Sequence, residues 1–442
     1  EETFDELLTN MYNLANGENI EPIWKEVYKW YSQNDEWKPR LTEALKGLEY
    51  TNLPDKINTE TIDKLYGNKM QTSVSKLEQY RTCPFSFHLK YGLNLKEEET
   101  FEIKPMDTGS FMHEVIDEFF ERVKNNDINI REISSEDIEK IIHDIVKDKI
   151  SLSRNAMFTS SNKFKILLKK LEKVLVQSMK YIVLNLANSK FQILGNEVEF
   201  KPGGKYPPIE LNLENGKKIE ITGKIDRIDF AEDEKGKYIR IVDYKSSVKN
   251  IELNEVMFGI QLQLITYLDE VITKGDFLPA GALYFNLIDP IISLSGNKTP
   301  EEVEKEVQKN FKMKGIVLAD VNIVKMMDTK LEKGYSETIP VYLDKEGNIS
   351  KNLSSAITEE DFTNLQKKVR SIIKDIAKEI YNGDISIKPY YNKDKKTPCE
   401  YCKYKTICNF NTKQKGNKYN YIKYIEKSEV LEKLKKEAKQ NV

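Results

Sequence analysis

Two short stretches carry acidic and basic side chains at a spacing that suits phosphoryl chemistry. GKIDRID (Gly223–Asp229) and VDYKSS (Val242–Ser247) each continue a run that reads as a strand. Side chains alternate across a strand, so Asp243 and Lys245 share one face and Tyr244 takes the other. The turn EDEKGK (232–237) between the two runs predicts a hairpin that brings Asp226 beside Asp243. Two carboxylates on neighbouring strands suit a hard divalent ion such as Mg2+, which prefers oxygen ligands and keeps several waters. Such an ion polarises a phosphoryl oxygen and acidifies a bound water. A lysine two positions after the second carboxylate can orient that water or neutralise charge in the transition state. Alternation alone favours a plainer reading, an exposed hairpin with cross-strand charge pairs. Asp229, three positions from Asp226, is expected on the opposite face as a surface residue.

The four cysteines form a second group. Cys399, Cys402 and Cys408 lie within ten positions, and Cys83 is far upstream. Disulfides are rare in the cytosol, so metal ligation is the first reading. Three thiolates with a remote fourth suit a zinc ion or an iron–sulfur cluster equally, and spacing does not separate them. Lys393, Lys395, Lys396 and Lys403 are interleaved with tyrosines, Tyr404 among them. Cations beside aromatic faces suit a nucleic-acid backbone and unstacked bases, although a solvated lysine-rich loop reads the same way.

Both groups need elements to hold them. Residues 1–70 read as short helices, and a capped helix starts near 71 and runs toward Cys83. MDTGSFMHEVIDEFFERV predicts a helix capped by Asp107 or Thr108, with Phe111, Val115, Ile116, Phe119, Phe120 and Val123 as its apolar stripe. A helical insertion is expected at 130–187, and strands follow from 191. Further helices are expected at 254–274, 301–311 and 359–381, with a strand at 280–287. The pattern divides the chain into a helical region (1–70), a main domain (71–420) and a charged terminal helix (421–442).

Bulk properties narrow the class. Hydrophobic residues make up 39% of the 442 and charged residues 32%, with a net charge of −2, so any nucleic-acid binding needs a local basic surface. No apolar run approaches the roughly 20 residues that cross a bilayer. No signal-peptide pattern opens the chain, so a cytoplasmic location is expected. A start at Glu1 without methionine suggests a piece of something longer. No phosphate-cradling loop ending Gly-Lys-Ser/Thr is present, so ATP hydrolysis by this chain alone is not expected.

GKIDRID, VDYKSS and QLQLITYL, in that order, resemble the RecB-like branch of the PD-(D/E)XK nuclease superfamily. The resemblance implies an α/β fold, a mixed sheet flanked by helices. It makes Asp226 and Asp243 the metal carboxylates and Lys245 the catalytic lysine. Gln263 and Tyr267 would touch nucleic acid or brace the site. DTGSFMHEVID looks like the family's Gly-x-x-x-His helix, which brings His113 to the metal. GNEVEF suggests a metal-linked glutamate, Glu197 in preference to Glu199. YRTCPFSFHLKYGL with TPCEYCKYKTIC resembles the AddB subunits of AddAB helicase–nucleases over most of the chain. That likeness implies a 4Fe–4S cluster on Cys83, Cys399, Cys402 and Cys408, acting as a clasp. It also implies Mg2+, DNA and an AddA-like partner, with cleavage of the 5′-ended strand during double-strand-break repair. The first 70 residues would then be the remnant of a preceding helicase-like region. The alternatives are a catalytically silent DNA-binding scaffold and a stand-alone RecB-like nuclease.

Overall fold

The computed structural model describes residues 1–49, 51–96, 105–151, 160–204, 206–214, 216–291 and 299–440. The first three helices, α1 (Glu2–Ala15), α2 (Ile23–Gln33) and α3 (Lys38–Glu49), enclose a small core of their own. Phe4, Leu7, Tyr31 and Leu41 fill it, with Trp37 edge-on to Tyr31. Then α4 (Thr59–Tyr66) sends Ile62 into the main core, and β1 (Lys69–Ser73) joins the central sheet. The division expected at residue 70 falls inside β1; the chain changes core between Leu45 and Ile57.

Ser73 caps α5 (Val74–Thr82), which ends at Cys83 and is followed by α6 (Pro84–Phe87). A π-helical turn (His88–Gly92) continues from α6, and then comes α7 (Pro105–Asn125), whose expected apolar stripe is buried. It starts two residues before the expected caps, so Asp107 lies in its first turn, where a carboxylate suits the positive helix end. The insertion folds as α8 (Ser135–Ile150) and α9 (Asn162–Ala187), opened by the capping serines Ser134 and Ser161. Residues 152–159 of the expected insertion lie outside the described residues.

Four strands follow: β2 (Gln192–Phe200), β3 (Ile209–Asn212), β4 (Lys218–Asp233) and β5 (Gly236–Lys245). The expected single helix at 254–274 is two helices, α10 (Leu253–Phe258) and α11 (Gln263–Gly275). The break comes at Gly259, whose φ of +100° ends α10 in the left-handed conformation glycine tolerates. A Cβ there would lie 2.8 Å from Arg81 Cγ, so α5 packs directly on the break. β6 (Leu278–Asn286), α12 (Pro300–Asn310), β7 (Lys314–Leu318) and α13 (Val321–Met327) come next. The small hairpin β8 (Gly334–Tyr335) and β9 (Tyr342–Leu343) precedes β10 (Ala356–Ile357) and α14 (Glu359–Tyr381). The last elements are β11 (Tyr390–Tyr391), α15 (Lys405–Cys408), β12 (Asn420–Tyr421) and α16 (Lys427–Gln440).

The sheet runs β1-β4-β5-β6-β7-β10 and is mixed: β1–β4, β5–β6 and β7–β10 are parallel, β4–β5 and β6–β7 antiparallel. The long β4 is its spine, pairing β1 and β3 along its first half and β2 and β5 along its second. Central strands buried on both faces read as near-continuous apolar runs, as Ile239, Ile241, Val242 and Ala282, Leu283 do here. The charged terminal helix is docked: Val430 and Leu434 enter the main core, and Lys368 reaches Glu437 at 2.7 Å. Among the described residues, no helix is long and apolar enough to cross a membrane.

Candidate active site

The β4–β5 ladder ends at the pair Arg227↔Val242. One step beyond, where Asp226 would face Asp243, the strands part. Asp226 Oδ2 accepts the backbone N–H of Tyr244 there at 2.7 Å. On the other flank of β4, the pairs Asn196↔Arg227 and Val198↔Ile225 put Glu197 opposite Asp226. Glu197 holds a φ of +48°, a conformation that costs a non-glycine residue on the order of 1–2 kcal/mol. Strain of this kind concentrates where a side chain must be aimed. His113 on α7 completes the group, its Nδ1 3.3 Å from Asp226 Oδ1 and 4.0 Å from Glu197 Oε1. One ligand atom from each of His113, Glu197 and Asp226 lies within 4.8 Å of the others. Glu199 turns to Lys201 instead, while Lys224 pairs with Glu197.

Asp243 and Lys245 form an ion pair at 2.5 Å on this same side. Burial and the adjacent Asp226 push the Asp243 carboxyl up to about 6. Burial disfavours the Lys245 ammonium, but Asp243 outweighs it and the pKa rises. His113 behaves alike: burial opposes its charged form, and the Asp226 carboxylate raises it nonetheless. Acidic groups crowded out of water in this way repel one another, and a divalent cation relieves that repulsion. The donor set, carboxylate oxygens with one imidazole, fits a hard ion.

Asp229 is on the opposite face, as alternation requires, but it is not at the surface. It is fully buried between Arg227 Nε at 2.9 Å and Arg240 Nε at 2.8 Å. The expectation failed because this face of the sheet is covered too, with Phe191 lying 4.8 Å from the Arg240 guanidinium. A buried acid persists when its charge is paired. Arg227 also donates to the Tyr244 hydroxyl at 2.9 Å, which steadies the residue whose amide holds Asp226.

Gln263 and Tyr267 stand one turn apart on α11. The Gln263 side chain is half-exposed. Tyr267 is buried against β4, its ring stacked on Phe200 with centroids 6.0 Å apart. A Cβ built on Gly223 would lie 2.2 Å from the Tyr267 hydroxyl. The glycine of GKIDRID thus admits a brace three residues ahead of Asp226. Gly223→Ala should cost about 1–3 kcal/mol of stability through overpacking and lower any activity of the centre. Chemical denaturation with a parallel cleavage assay checks both.

Sequence reasoning missed Glu78. Its Oε1 accepts from Leu262 N at 2.6 Å and Gln263 N at 3.1 Å, capping α11 from α5. The signal was hidden because α5 and α11 are 184 positions apart at this contact.

Cys83, Cys399, Cys402 and Cys408 all line one cavity of about 890 Å³. Burial pushes the Cys83 thiol up to about 11 and raises Cys399 and Cys408 as well, so a cation is needed to hold them as thiolates. Lys396, Lys403 and Tyr404 line the same cavity. Tyr404 is half-buried, its hydroxyl donating to Leu95 O at 3.2 Å. Lys393 and Lys395 are exposed, and Lys393 Nζ sits 3.9 Å from the Tyr424 ring. Exposed rings nearby, Tyr401, Tyr421 and Tyr424, include two that sequence reasoning overlooked, Tyr421 and Tyr424.

A mixed sheet with carboxylates and a lysine gathered where a hairpin parts is the signature of a nuclease class, and the chain belongs to the PD-(D/E)XK nuclease superfamily, whose family pattern matches residues 71–409. Residues 1–47 match the fifth domain of the ATP-dependent helicase/deoxyribonuclease AddB. The chain is 40% identical over 445 residues to an ATP-dependent helicase/deoxyribonuclease subunit from Clostridium novyi. It is 38% identical over 442 residues to the same subunit from Clostridium acetobutylicum and 39% over 425 residues to that from Caldanaerobacter subterraneus. These matches take in 99%, 98% and 95% of this chain, but 39%, 38% and 36% of the relatives. The chain therefore spans under two fifths of the length of these curated relatives.

Proposed function

We propose that this chain is the Mg2+-dependent deoxyribonuclease part of an AddAB-type helicase–nuclease. The observation that carries the reading is the meeting of His113, Glu197 and Asp226, with the Asp243–Lys245 pair on the same side, from elements far apart in sequence. His113, Asp226 and Asp243, with Glu197, are the residues that would hold the ion. Mg2+, when bound, supplies a Lewis acid for the phosphoryl oxygen and a water of lowered pKa. Lys245 stays protonated beside Asp243, so it can steady the attacking water or the charge that grows on the phosphate. Tyr267 and Arg227 keep the two strands in place around that reaction.

The partner in this reading is an AddA-like subunit that drives translocation, and the substrate is the 5′-ended DNA strand in double-strand-break repair in the cytoplasm. The relatives' names, each a subunit of an ATP-dependent helicase/deoxyribonuclease, support a DNA substrate and at least one further subunit. Residues 388–424 carry ten lysines against two acidic residues, in a chain whose net charge is −2. Lys393, Lys395, Lys396 and Lys403, all exposed, with Tyr404, Tyr421 and Tyr424 nearby, are groups there that suit a DNA strand. In the same reading, the four cysteines hold a 4Fe–4S cluster. A silent scaffold is disfavoured because Asp226, Asp243 and Lys245 are all present and gathered.

The test separates the two metals. EDTA should stop DNA cleavage, and added Mg2+ should restore it, while the visible absorbance of the cysteine centre survives both steps. The carboxylate site takes an oxygen-loving ion that exchanges with solvent, whereas thiolates hold soft metal. Loss of absorbance in step with activity under EDTA would sink the two-centre reading.

A further inference from the structure

On the nuclease reading above, we propose that Glu78 is a positioning residue for the nuclease centre, and that α5 thereby couples the cysteine cavity to that centre. The break at Gly259 leaves the first turn of α11 with unbonded N–H groups, and its N-cap residue, Leu262, has no side chain that could accept one. Glu78 accepts two of them with a single oxygen, at 2.6 Å and 3.1 Å. A carboxylate at that place also meets the positive end of the helix. The cations that act on it are Lys249 and Lys245. Lys245, paired with Asp243 at 2.5 Å, thus also feels the Glu78 charge.

Glu78 shares α5 with Cys83. The nine residues of α5 span about 13 Å as a rigid rod. Val74, Leu77 and Tyr80 bury its inner side. Arg81 pairs with Glu379 on α14 at 3.1 Å and packs on the break before α11. One short helix thus reaches the cysteine cavity at its end and the nuclease helix at its middle. A displacement at Cys83 is passed to Glu78, from there to α11, and through Tyr267 to the strand that carries Asp226.

The test compares Glu78→Ala, Glu78→Gln and Cys83→Ser with the parent chain. With the AddA-like partner present, it reads kcat and KM for Mg2+-dependent cleavage of a short oligonucleotide, and amide hydrogen exchange at Leu262 and Gln263. Glu78→Ala should lower kcat on the order of tenfold to a hundredfold through misplacement, with KM within about twofold, and should expose both amides. Glu78→Gln keeps an acceptor, so it should restore amide protection and still leave kcat low, because the negative charge that acts on Lys245 and Lys249 is gone. Cys83→Ser should expose the same two amides without a change near α11. Parent-like kcat in Glu78→Gln would reduce Glu78 to a helix cap and overturn the proposal, as would parent-like kcat in Glu78→Ala. Protected amides in Cys83→Ser would break the coupling. Asp243→Asn is run alongside, again with the AddA-like partner: a parent complex that does not cut DNA, or an Asp243→Asn complex that cuts it at the parent rate, refutes the nuclease reading, while the exchange data still judge Glu78.

Discussion

Asp243→Asn and Lys245→Ala should each lower Mg2+-dependent DNA cleavage on the order of a thousandfold, the scale of losing one group that stabilises charge in the transition state. The assay is kcat/KM on an oligonucleotide, with the AddA-like partner present. Cleavage at the parent rate by both variants would remove the assigned centre. The Asp243 variant has a second, opposite effect on stability. Burial and Asp226 raise the Asp243 carboxyl to about 6 in the folded protein, against roughly 3.9 when unfolded. A raised carboxyl pKa means the folded state binds the proton more tightly. Stability is therefore lost as pH rises from about 4 through about 6. Asparagine escapes that loss. In metal-free protein at pH 7, the thermal midpoint of Asp243→Asn should exceed that of the parent, and the gap should close below about pH 4. Added Mg2+ should stabilise the parent and not the variant. A variant that is less stable than the parent at pH 7 without metal would show that Asp243 is not held against Asp226.

Replacement of any one of Cys83, Cys399, Cys402 or Cys408 should lower the thermal midpoint and deplete the cysteine centre of metal. Binding energy at such a site is linked to folding. Cys83 and Cys399 are 316 positions apart. Closing a loop of that length takes entropy worth about 6 kcal/mol from the unfolded chain, on the scale derived for disulfides. The loss should therefore be as large for the remote Cys83 as for any of the clustered three. Metal content and thermal midpoint on the purified single variants decide it. A Cys83→Ala chain with full metal content would leave three ligands, and the clasp would have to be redrawn.

The sequence alone determined the faces and the local elements. Period-two alternation fixes that Asp243 and Lys245 point together, and EDEKGK fixes the hairpin that brings Asp226 near them. Helical spacing fixes the buried stripe of α7, and with it the helix on which His113 sits. Crowded cysteines mark a candidate ligand group whatever the fold. The tertiary structure decided which of these surfaces meet. Alternation says that Asp229 opposes Asp226, but only the covering of both sheet faces makes it a buried acid between Arg227 and Arg240. Glu197 and Glu199 look equivalent in sequence. The register of β2 on β4, with one residue turned to a positive φ, aims Glu197 at the centre and sends Glu199 to Lys201. A helix pattern from 254 to 274 hides the break at Gly259, where Arg81 on a helix far upstream and Ile372 far downstream leave no room for a side chain. Glu78 carries no local signal at all, since the amides it serves belong to another helix. Side-chain period encodes direction within one element; pairing between elements is set by packing over long sequence separations, and the folded chain alone supplies it.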